Sequence, residues 1–167
     1  MSRAKTVKQT AALTKKLKRE GKRVGLIFGC FDVLHLGHVH LFRDARKYVD
    51  YLIVGLENDK SIRLTKGRNR PVNTFDHRLQ VLSELRSVDW IFKVDSIVNH
   101  NDKNAVRVYD DIVCKIVPHY LITDPLADSG WEHKKENAKK ANIELLLLKR
   151  KKIASSTRII GRMLKEL

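Results

Sequence analysis

Cysteines and long apolar segments are scarce in this chain. Only two of its 167 residues are cysteines, Cys30 and Cys114. They are too few for a disulfide framework and lack the C-x-x-C spacing of a structural zinc site. No apolar run approaches the roughly 18 residues that a membrane-spanning helix needs, and the N-terminus lacks the apolar core of a secretory signal. These absences predict a cytoplasmic protein that does not enter a membrane.

Acidic residues are also few, because 34 Lys and Arg outnumber 19 Asp and Glu and give a formal net charge of +15. Residues 1–23 alone contain nine basic side chains and one acid, Glu20. A surface this basic favours a polyanionic partner: a nucleic acid, an acidic membrane face or a phosphorylated small molecule. Residues 1–22 are predicted to form a basic leader with a short amphipathic helix near 9–19, attached to the protein surface.

The pattern of apolar residues predicts one α/β domain over residues 23–167. Runs rich in Val, Ile and Leu, typical of buried strands, alternate with segments of helical period. Parallel strands joined by right-handed helical crossovers form a doubly wound, Rossmann-like fold, here a five-stranded parallel sheet with helices on both faces. The predicted strands are 24–28, 51–56, 90–94, 120–123 and 143–148, and the predicted helices are 38–48, 75–87, 104–117, 132–141 and 156–166.

Ligands bind such sheets beyond the carboxyl ends of the strands, so the loop after the first predicted strand is informative. Residues 29–38 read Gly-Cys-Phe-Asp-Val-Leu-His-Leu-Gly-His and open into a helix. His35 and His38 are three residues apart where that helix begins, and Gly37 leaves the backbone open to a ligand. The helix N-terminus suits a phosphate, and two imidazoles can donate further hydrogen bonds to it.

Gly29 and Asp32 belong to the same loop. Gly29 allows the strand to end close to a ligand, and Asp32 is a candidate to hold a histidine or an amine in place. The alternative for this loop is a pair of capping or surface histidines, since short motifs recur by accident. The order of strand, glycine, Phe-Asp, His-x-Gly-His and helix favours the phosphate site.

Two more segments carry residues suited to phosphate. In 57–73 basic residues outnumber acidic ones and Gly and Pro interrupt the pattern, which predicts a flexible basic loop able to close over a triphosphate. An ordinary solvated loop is the alternative. Ser155, Ser156 and Thr157 begin the last predicted helix after a run of cations, an arrangement that binds anions through hydroxyls, N–H groups and the helix dipole. A simple N-cap at Ser155 is the alternative there.

The segment from Gly29 to His38 resembles the G-x-F-D-x-x-H-x-G-H signature of the cytidylyltransferase-like nucleotidyltransferases. The resemblance extends over residues 10–98 and, more loosely, over 119–162. It implies transfer of a nucleoside monophosphate from a nucleoside triphosphate to a sugar or polyol phosphate, with release of pyrophosphate. It also implies a homodimer and Mg²⁺ bound with the triphosphate, and the chain shows no carboxylate cluster for a metal site of its own.

The resemblance assigns roles to individual residues. His35, His38 and Lys66 are the expected catalytic residues, with Lys60 and Arg68 as lesser candidates for the lysine. Arg78 and Arg86 are expected to hold the phosphate of the acceptor. The expected nucleotide-binding residues are Gly29, Cys30, Phe31, Asp32, Gly37, Asp124, Arg150, Ser156 and Thr157.

The substrates stay open between two branches of the family. Arg-Pro-Val-Asn at 70–73 and the predicted helix 75–87, which carries Arg78 and Arg86, resemble the heptose-1-phosphate adenylyltransferases, which use ATP. Residues 29–38, called the first loop below, resemble the glycerol-3-phosphate cytidylyltransferases, which use CTP, nearly as well. Residues 122–128 keep Asp124 but lack the glycines usual in the family, and Pro125 removes a backbone donor. This departure leaves open a silent nucleotide-binding regulator. Nucleic-acid binding is possible but not favoured, since the chain shows no aromatic platform.

Overall fold

The computed structural model describes residues 3–99, 105–128, 130–149 and 154–165. Within these ranges six parallel strands form one sheet in the order β1-β4-β3-β2-β5-β6, with helices on both faces. The predicted α/β doubly wound fold is confirmed. The strands are β1 Ala4–Lys5, β2 Val24–Gly29, β3 Tyr51–Glu57, β4 Trp90–Val94, β5 Tyr120–Thr123 and β6 Glu144–Leu147. The helices are α1 Val7–Arg19, α2 Leu36–Ala45, α3 Asp59–Lys66, α4 Phe75–Ser83, α5 Ala105–Ile116, α6 Trp131–Lys140 and α7 Ser156–Met163.

The core lies on both faces of the central strands. Side chains alternate along β2, so that Leu26 and Phe28 join the apolar cluster beneath α1 and α5, while Ile27 joins the cluster beneath α2 and α4. Strands buried on both faces read as continuous apolar runs, which is why the sequence pattern locates them well. No helix in the described ranges is long and apolar enough to span a bilayer.

The prediction of five strands is wrong by one, because β1 adds to the edge of the sheet. Ala4 pairs with Ile91 and Lys5 with Phe92 of β4. The Arg3 guanidinium donates hydrogen bonds to the carbonyl oxygens of Leu85, at 2.7 Å, and Val88, at 2.9 Å. A strand of two residues leaves no apolar run in the sequence, so its pattern could not be recognised.

The predicted leader is not a surface attachment. Thr10, Thr14 and Leu17 form the buried side of α1, and Leu17 is packed in the same core cluster as Val113. The helix begins at Val7, earlier than expected, because Thr6 and Gln9 form a capping box. Residues 3–22 therefore fold as part of the domain.

The predicted flexible loop over 57–73 is half helical. Asn58 caps α3 by accepting a hydrogen bond from the Ser61 N–H at 2.9 Å, and Ile62 is fully buried. The amphipathic period of α3 was masked in the sequence by its many charges. The loop after α3 begins at Gly67, which has a positive φ of 95° that glycine adopts without strain.

Candidate functional site

The end of β2 turns sharply into the loop that carries the two histidines. Phe31 has a left-handed backbone conformation, with φ 43°, which is uncommon for residues other than glycine. Its buried ring packs edge-on against His38, with 5.3 Å between the ring centroids. A Cβ atom on Gly29 would lie 2.8 Å from the Phe31 ring. Glycine is therefore required at 29 to make room for this ring, a reason other than the ligand approach expected from the sequence.

His35 and His38 lie together at the N-terminus of α2. His35 is the N-cap residue, and the two rings stack with their centroids 3.8 Å apart and their planes at 21°. A Cβ atom on Gly37 would lie 2.9 Å from the His35 ring, so glycine preserves the space that this ring occupies. The first turn of α2 thus presents two imidazoles beside the positive end of the helix dipole, an arrangement suited to a phosphate.

Lys66 reaches the same loop from α3. It is the last residue of that helix, and its Nζ lies 2.9 Å from the Sγ of Cys30, which directly follows β2. The structure thus brings the lysine predicted from the basic segment 57–73 to the loop that follows β2. The lesser candidates Lys60 and Arg68 are both exposed.

Asp32 ties the first loop to the segment after α3. Its buried carboxylate accepts hydrogen bonds from the N–H groups of Val72, at 2.9 Å, and Asn73, at 2.8 Å. The Arg70 guanidinium donates another at 2.7 Å and forms an ion pair. Burial opposes ionisation, yet the two N–H groups and Arg70 together hold the pKa of Asp32 below its ordinary value. Asp32 therefore holds an arginine and a loop rather than the histidine or amine expected, and its predicted contact with nucleotide stays a prediction.

Arg78 links several segments from inside the protein. Its side chain is fully buried. It donates hydrogen bonds to the carbonyl oxygens of Asn73, Cys30 and Glu57 and to the carboxylate of Asp59. The first loop, the end of β3, the start of α3 and the loop before α4 therefore meet at one guanidinium. The structure gives Arg78 a positioning role, and the acceptor-phosphate contact expected of it stays a prediction.

Arg86 lies at the end of the sheet where the strands begin, opposite the end that carries the histidine loop. It is exposed, in the turn between α4 and Trp90 at the start of β4, whereas His35 follows the end of the parallel strand β2. The acceptor-phosphate contact expected of Arg86 stays a prediction, as it does for Arg78. The sequence spacing could not show where Arg86 lies, because both arginines belong to one predicted helix.

The start of α7 packs beside the first loop. The Ser156 hydroxyl donates a hydrogen bond to the carbonyl oxygen of Val33 at 3.0 Å, and Ser155 caps the helix by accepting from the Arg158 N–H at 3.3 Å. Thr157, in the first turn, is exposed. The hydroxyl residues predicted to bind phosphate thus lie next to the histidine loop. The predicted Arg150 lies outside the described residues.

The loop after β5 is a tight turn. Asp124 is buried, and its Oδ1 accepts a hydrogen bond from the Leu126 N–H at 3.0 Å. Sequence reasoning missed the neighbouring Asp128, which accepts from the Thr123 hydroxyl and pairs with Lys134. Burial opposes its ionisation, but Lys134 and its hydrogen-bond donors hold the pKa of Asp128 below its ordinary value. A carboxylate just before a helix, with a lysine in the second turn, was the available signal.

The carboxyl end of the sheet therefore collects two imidazoles, one lysine and the N-termini of α2 and α7. Such donors bind phosphate oxygens and stabilise charge that develops on a phosphorus centre. Among the described residues, no three His, Cys, Asp or Glu side chains are grouped as a protein metal site would require.

Comparison with known families places this arrangement in context. The family model described as cytidylyltransferase-like matches residues 26–162, most of the chain. The chain is 41% identical over 106 residues to the bifunctional protein HldE of Methylococcus capsulatus, and 46% identical over 88 residues to that of Granulibacter bethesdensis. These matches cover 64% and 53% of this chain but only 20% and 18% of the relatives. The chain thus spans about a fifth of the length of the curated relatives it matches.

Two solved structures share the fold. The lipopolysaccharide core biosynthesis protein from Thermoplasma volcanium aligns with a TM-score of 0.60 and 23% identity, covering 80% of this chain and 100% of that one. The bifunctional NMN adenylyltransferase/ADP ribose pyrophosphatase from Francisella tularensis aligns with a TM-score of 0.62 and 10% identity, covering 87% of this chain and 43% of that one. At these identities the likeness establishes the fold alone.

Proposed function

Because this chain belongs to the cytidylyltransferase-like family, we propose that it is a nucleotidyltransferase acting on a phosphorylated sugar or polyol. One observation carries the proposal: His35 and His38 stack at the N-terminus of α2, with the start of α7 beside their loop and Lys66 within 2.9 Å of Cys30. The site is rich in hydrogen-bond donors and cations, as a triphosphate requires.

In the proposed reaction, a phosphate oxygen of the acceptor attacks the α-phosphorus of the nucleoside triphosphate. The new P–O bond forms as the bond to the bridging oxygen of the β-phosphate breaks, and pyrophosphate leaves with that electron pair. A phosphate monoester is already anionic near neutral pH, so no general base is needed. Catalysis then rests on positioning and on stabilisation of charge.

Each nearby group has a role in this scheme. His35 and His38 donate hydrogen bonds to the α-phosphate oxygens in the transition state, and Lys66 neutralises charge on the triphosphate. Ser156 and Thr157 bind the β- and γ-phosphates at the start of α7. Mg²⁺ enters as part of the substrate, bound to the triphosphate.

The acceptor that we propose is heptose 1-phosphate, with ATP as the nucleotide. The similarity to HldE proteins supports this choice, as does the Arg-Pro-Val-Asn segment at 70–73, which the buried Asp32 fixes against the first loop. Transfer from CTP to glycerol 3-phosphate is the second candidate, because enzymes of that branch resemble the first loop nearly as well.

The first test is pyrophosphate release with Mg²⁺, using ATP and CTP separately, each with heptose 1-phosphate and with glycerol 3-phosphate. We expect release with ATP and heptose 1-phosphate. Release only with CTP and glycerol 3-phosphate would identify the other branch. Silence in every combination, from protein that binds nucleotide, would contradict transferase activity toward these acceptors and favour a nucleotide-binding regulator.

His38→Asn tests the histidine pair. We expect turnover to fall by about 100-fold or more, because a donor to transition-state charge is lost. His40→Asn is the matched control, since His40 lies on the same helix outside the stacked pair, and it should retain activity within about twofold. Unchanged turnover of His38→Asn would remove His38 from the mechanism.

A further inference from the structure

A groove with a basic rim lies between α1 and the C-terminal end of α5. It is at the end of the sheet where the strands begin, opposite the histidines. Its volume is about 530 Å³. Helix α1 leads into the start of β2 and α5 leads into the start of β5, whereas the histidine loop follows the end of β2. The groove is thus a feature separate from the proposed catalytic site.

The rim of the groove is entirely cationic. Lys15, Lys18 and Arg19 of α1 line one side, and Lys115 of α5 lines the other. All four are exposed. Glu20, the one acid among residues 1–23, pairs instead with Lys16 at 3.9 Å, which does not line the groove. Among the described residues no carboxylate forms an ion pair with these four cations, so the rim favours an anionic partner.

The floor of the groove is apolar and preformed. It consists of Ala11, Ala12, Ile116 and Val117. Lys18 donates a hydrogen bond to the carbonyl oxygen of Val117 at 3.0 Å, which joins the two helices at the end of the groove. An apolar floor between cations fits a partner that has apolar side chains and carboxylates together.

The neighbouring His119 lies near Lys18, one of the rim cations. Its imidazole is partly buried, and its Nδ1 accepts a hydrogen bond from the Val24 N–H at 3.0 Å. Burial, followed by the charges of Lys18 and Arg23, lowers the pKa of His119, and Asp50 opposes this effect only in part. The charge of Lys18 therefore acts on His119, next to the start of β5.

Other polyanions fit the groove less well. Single-stranded nucleic acid binds through aromatic side chains on which its bases stack, and the lining residues include none. A membrane surface is bound by apolar side chains that project into it, whereas the floor is concave and Ile116 is only 2% exposed.

We propose that this groove docks an acidic polypeptide segment, with apolar side chains on the floor and carboxylates paired with the rim cations. A polypeptide fits because the side chains of one segment can place apolar groups on the floor and carboxylates at the rim. The interaction is of the helix-in-groove or extended-peptide kind, in which a few anchors give specificity.

The test measures binding of a fluorescein-labelled helical peptide that has Leu on one face and Glu beside it. We expect the unaltered chain to bind this peptide with micromolar affinity. Lys15→Glu/Lys115→Glu should bind it at least about tenfold more weakly. The matched control, Lys135→Glu/Lys139→Glu, changes the net charge equally at exposed positions of α6, and should weaken binding by about twofold at most. Ala12→Arg fills the floor while adding positive charge, and it should weaken binding as well.

Three outcomes would overturn the proposal. They are no binding of the peptide by the unaltered chain, equal weakening of binding by the two charge reversals, and tighter binding by Ala12→Arg. Tighter binding of single-stranded RNA or phosphatidylglycerol vesicles, lost in Lys15→Glu/Lys115→Glu, would assign the groove to that other class. Pyrophosphate release by the groove variants should match that of the unaltered chain, so this test stands apart from that of the proposed function.

Discussion

His119 shows how a single side chain makes stability depend on pH. Its Nδ1 accepts the Val24 N–H, so protonation of that nitrogen would break a hydrogen bond at the start of β2. Burial, together with Lys18 and Arg23, lowers the pKa of His119 in the folded chain. The unfolded chain therefore binds the proton more readily. This contribution to stability is complete above the unfolded pKa of about 6.5 and is lost as the pH falls through the folded pKa.

We therefore expect His119→Asn to flatten the pH dependence of the free energy of unfolding below about pH 6.5. The asparagine Oδ1 can still accept from Val24 but does not titrate. Urea unfolding between about pH 5 and about pH 8 measures the difference from the unaltered chain. His77→Asn, at an exposed position of α4, is the control. An unchanged slope in His119→Asn would show that this imidazole is not linked to folding.

At the residue scale, the sequence predicted which side chains matter better than what they contact. His35, His38 and Lys66 come together at the first loop as expected. Asp32 and Arg78 were selected from the same motifs, yet both are buried against protein groups. A motif shows that a charged residue occupies a position, but burial and hydrogen-bond partners depend on segments that are distant in the chain.

Arg78 joins the first loop, the end of β3, the start of α3 and the loop before α4, so its replacement should disturb all four segments. One guanidinium serves three carbonyl oxygens and the Asp59 carboxylate. Arg78→Met leaves these acceptors buried without their donor, and we expect the free energy of unfolding to fall by about 3–5 kcal/mol. Arg78→Lys keeps the charge but cannot reach four oxygens from one ammonium group, so it should recover only part of this loss.

Enzyme kinetics separate positioning from stability in the same variants. If Arg78 positions the first loop against α3, folded Arg78→Lys should have a lower kcat than the unaltered chain. Its KM for the nucleotide should change by a smaller factor. Arg86→Lys, at an exposed position, should stay within about 0.5 kcal/mol of the unaltered stability. Equal stability of Arg78→Lys and the unaltered chain would contradict the linking role of this guanidinium.

At the element scale, long apolar runs were predictable and short or charged elements were not. Five strands match their predicted positions within about two residues because each carries an apolar run, mostly buried in β2 to β5 and partly buried in β6. Strand β1 has two residues, and α3 has one fully buried apolar residue, Ile62, among its charges. Their stability comes from pairing with β4 and from the Asn58 cap, and such tertiary support leaves little trace in periodicity.

For the whole molecule, the basic N-terminal segment is part of the core. The charge pattern predicts a leader over residues 1–22, because nearly every charged residue there is a cation. The structure instead inserts Thr10, Thr14 and Leu17 beneath the surface and leaves the cations on the other side of α1. One helix thus serves both the folding of the domain and its positive surface, so the two cannot be separated by truncation.

Replacement of single residues of α1 tests this integration without removing the helix. Leu17 is 6% exposed and packed in the cluster with Val113 and Ile116, so Leu17→Ala should lower the free energy of unfolding by about 2–4 kcal/mol. Leu13→Ala makes the same chemical change on the same helix, at a side chain that is only partly buried, and should cost clearly less. Urea unfolding of the two variants measures the contrast.

Removal of residues 1–22 should prevent stable folding, because it removes β1 from β4 and uncovers α5. A truncated chain as stable as the full one would mean that the N-terminal segment is only attached to the surface of the domain.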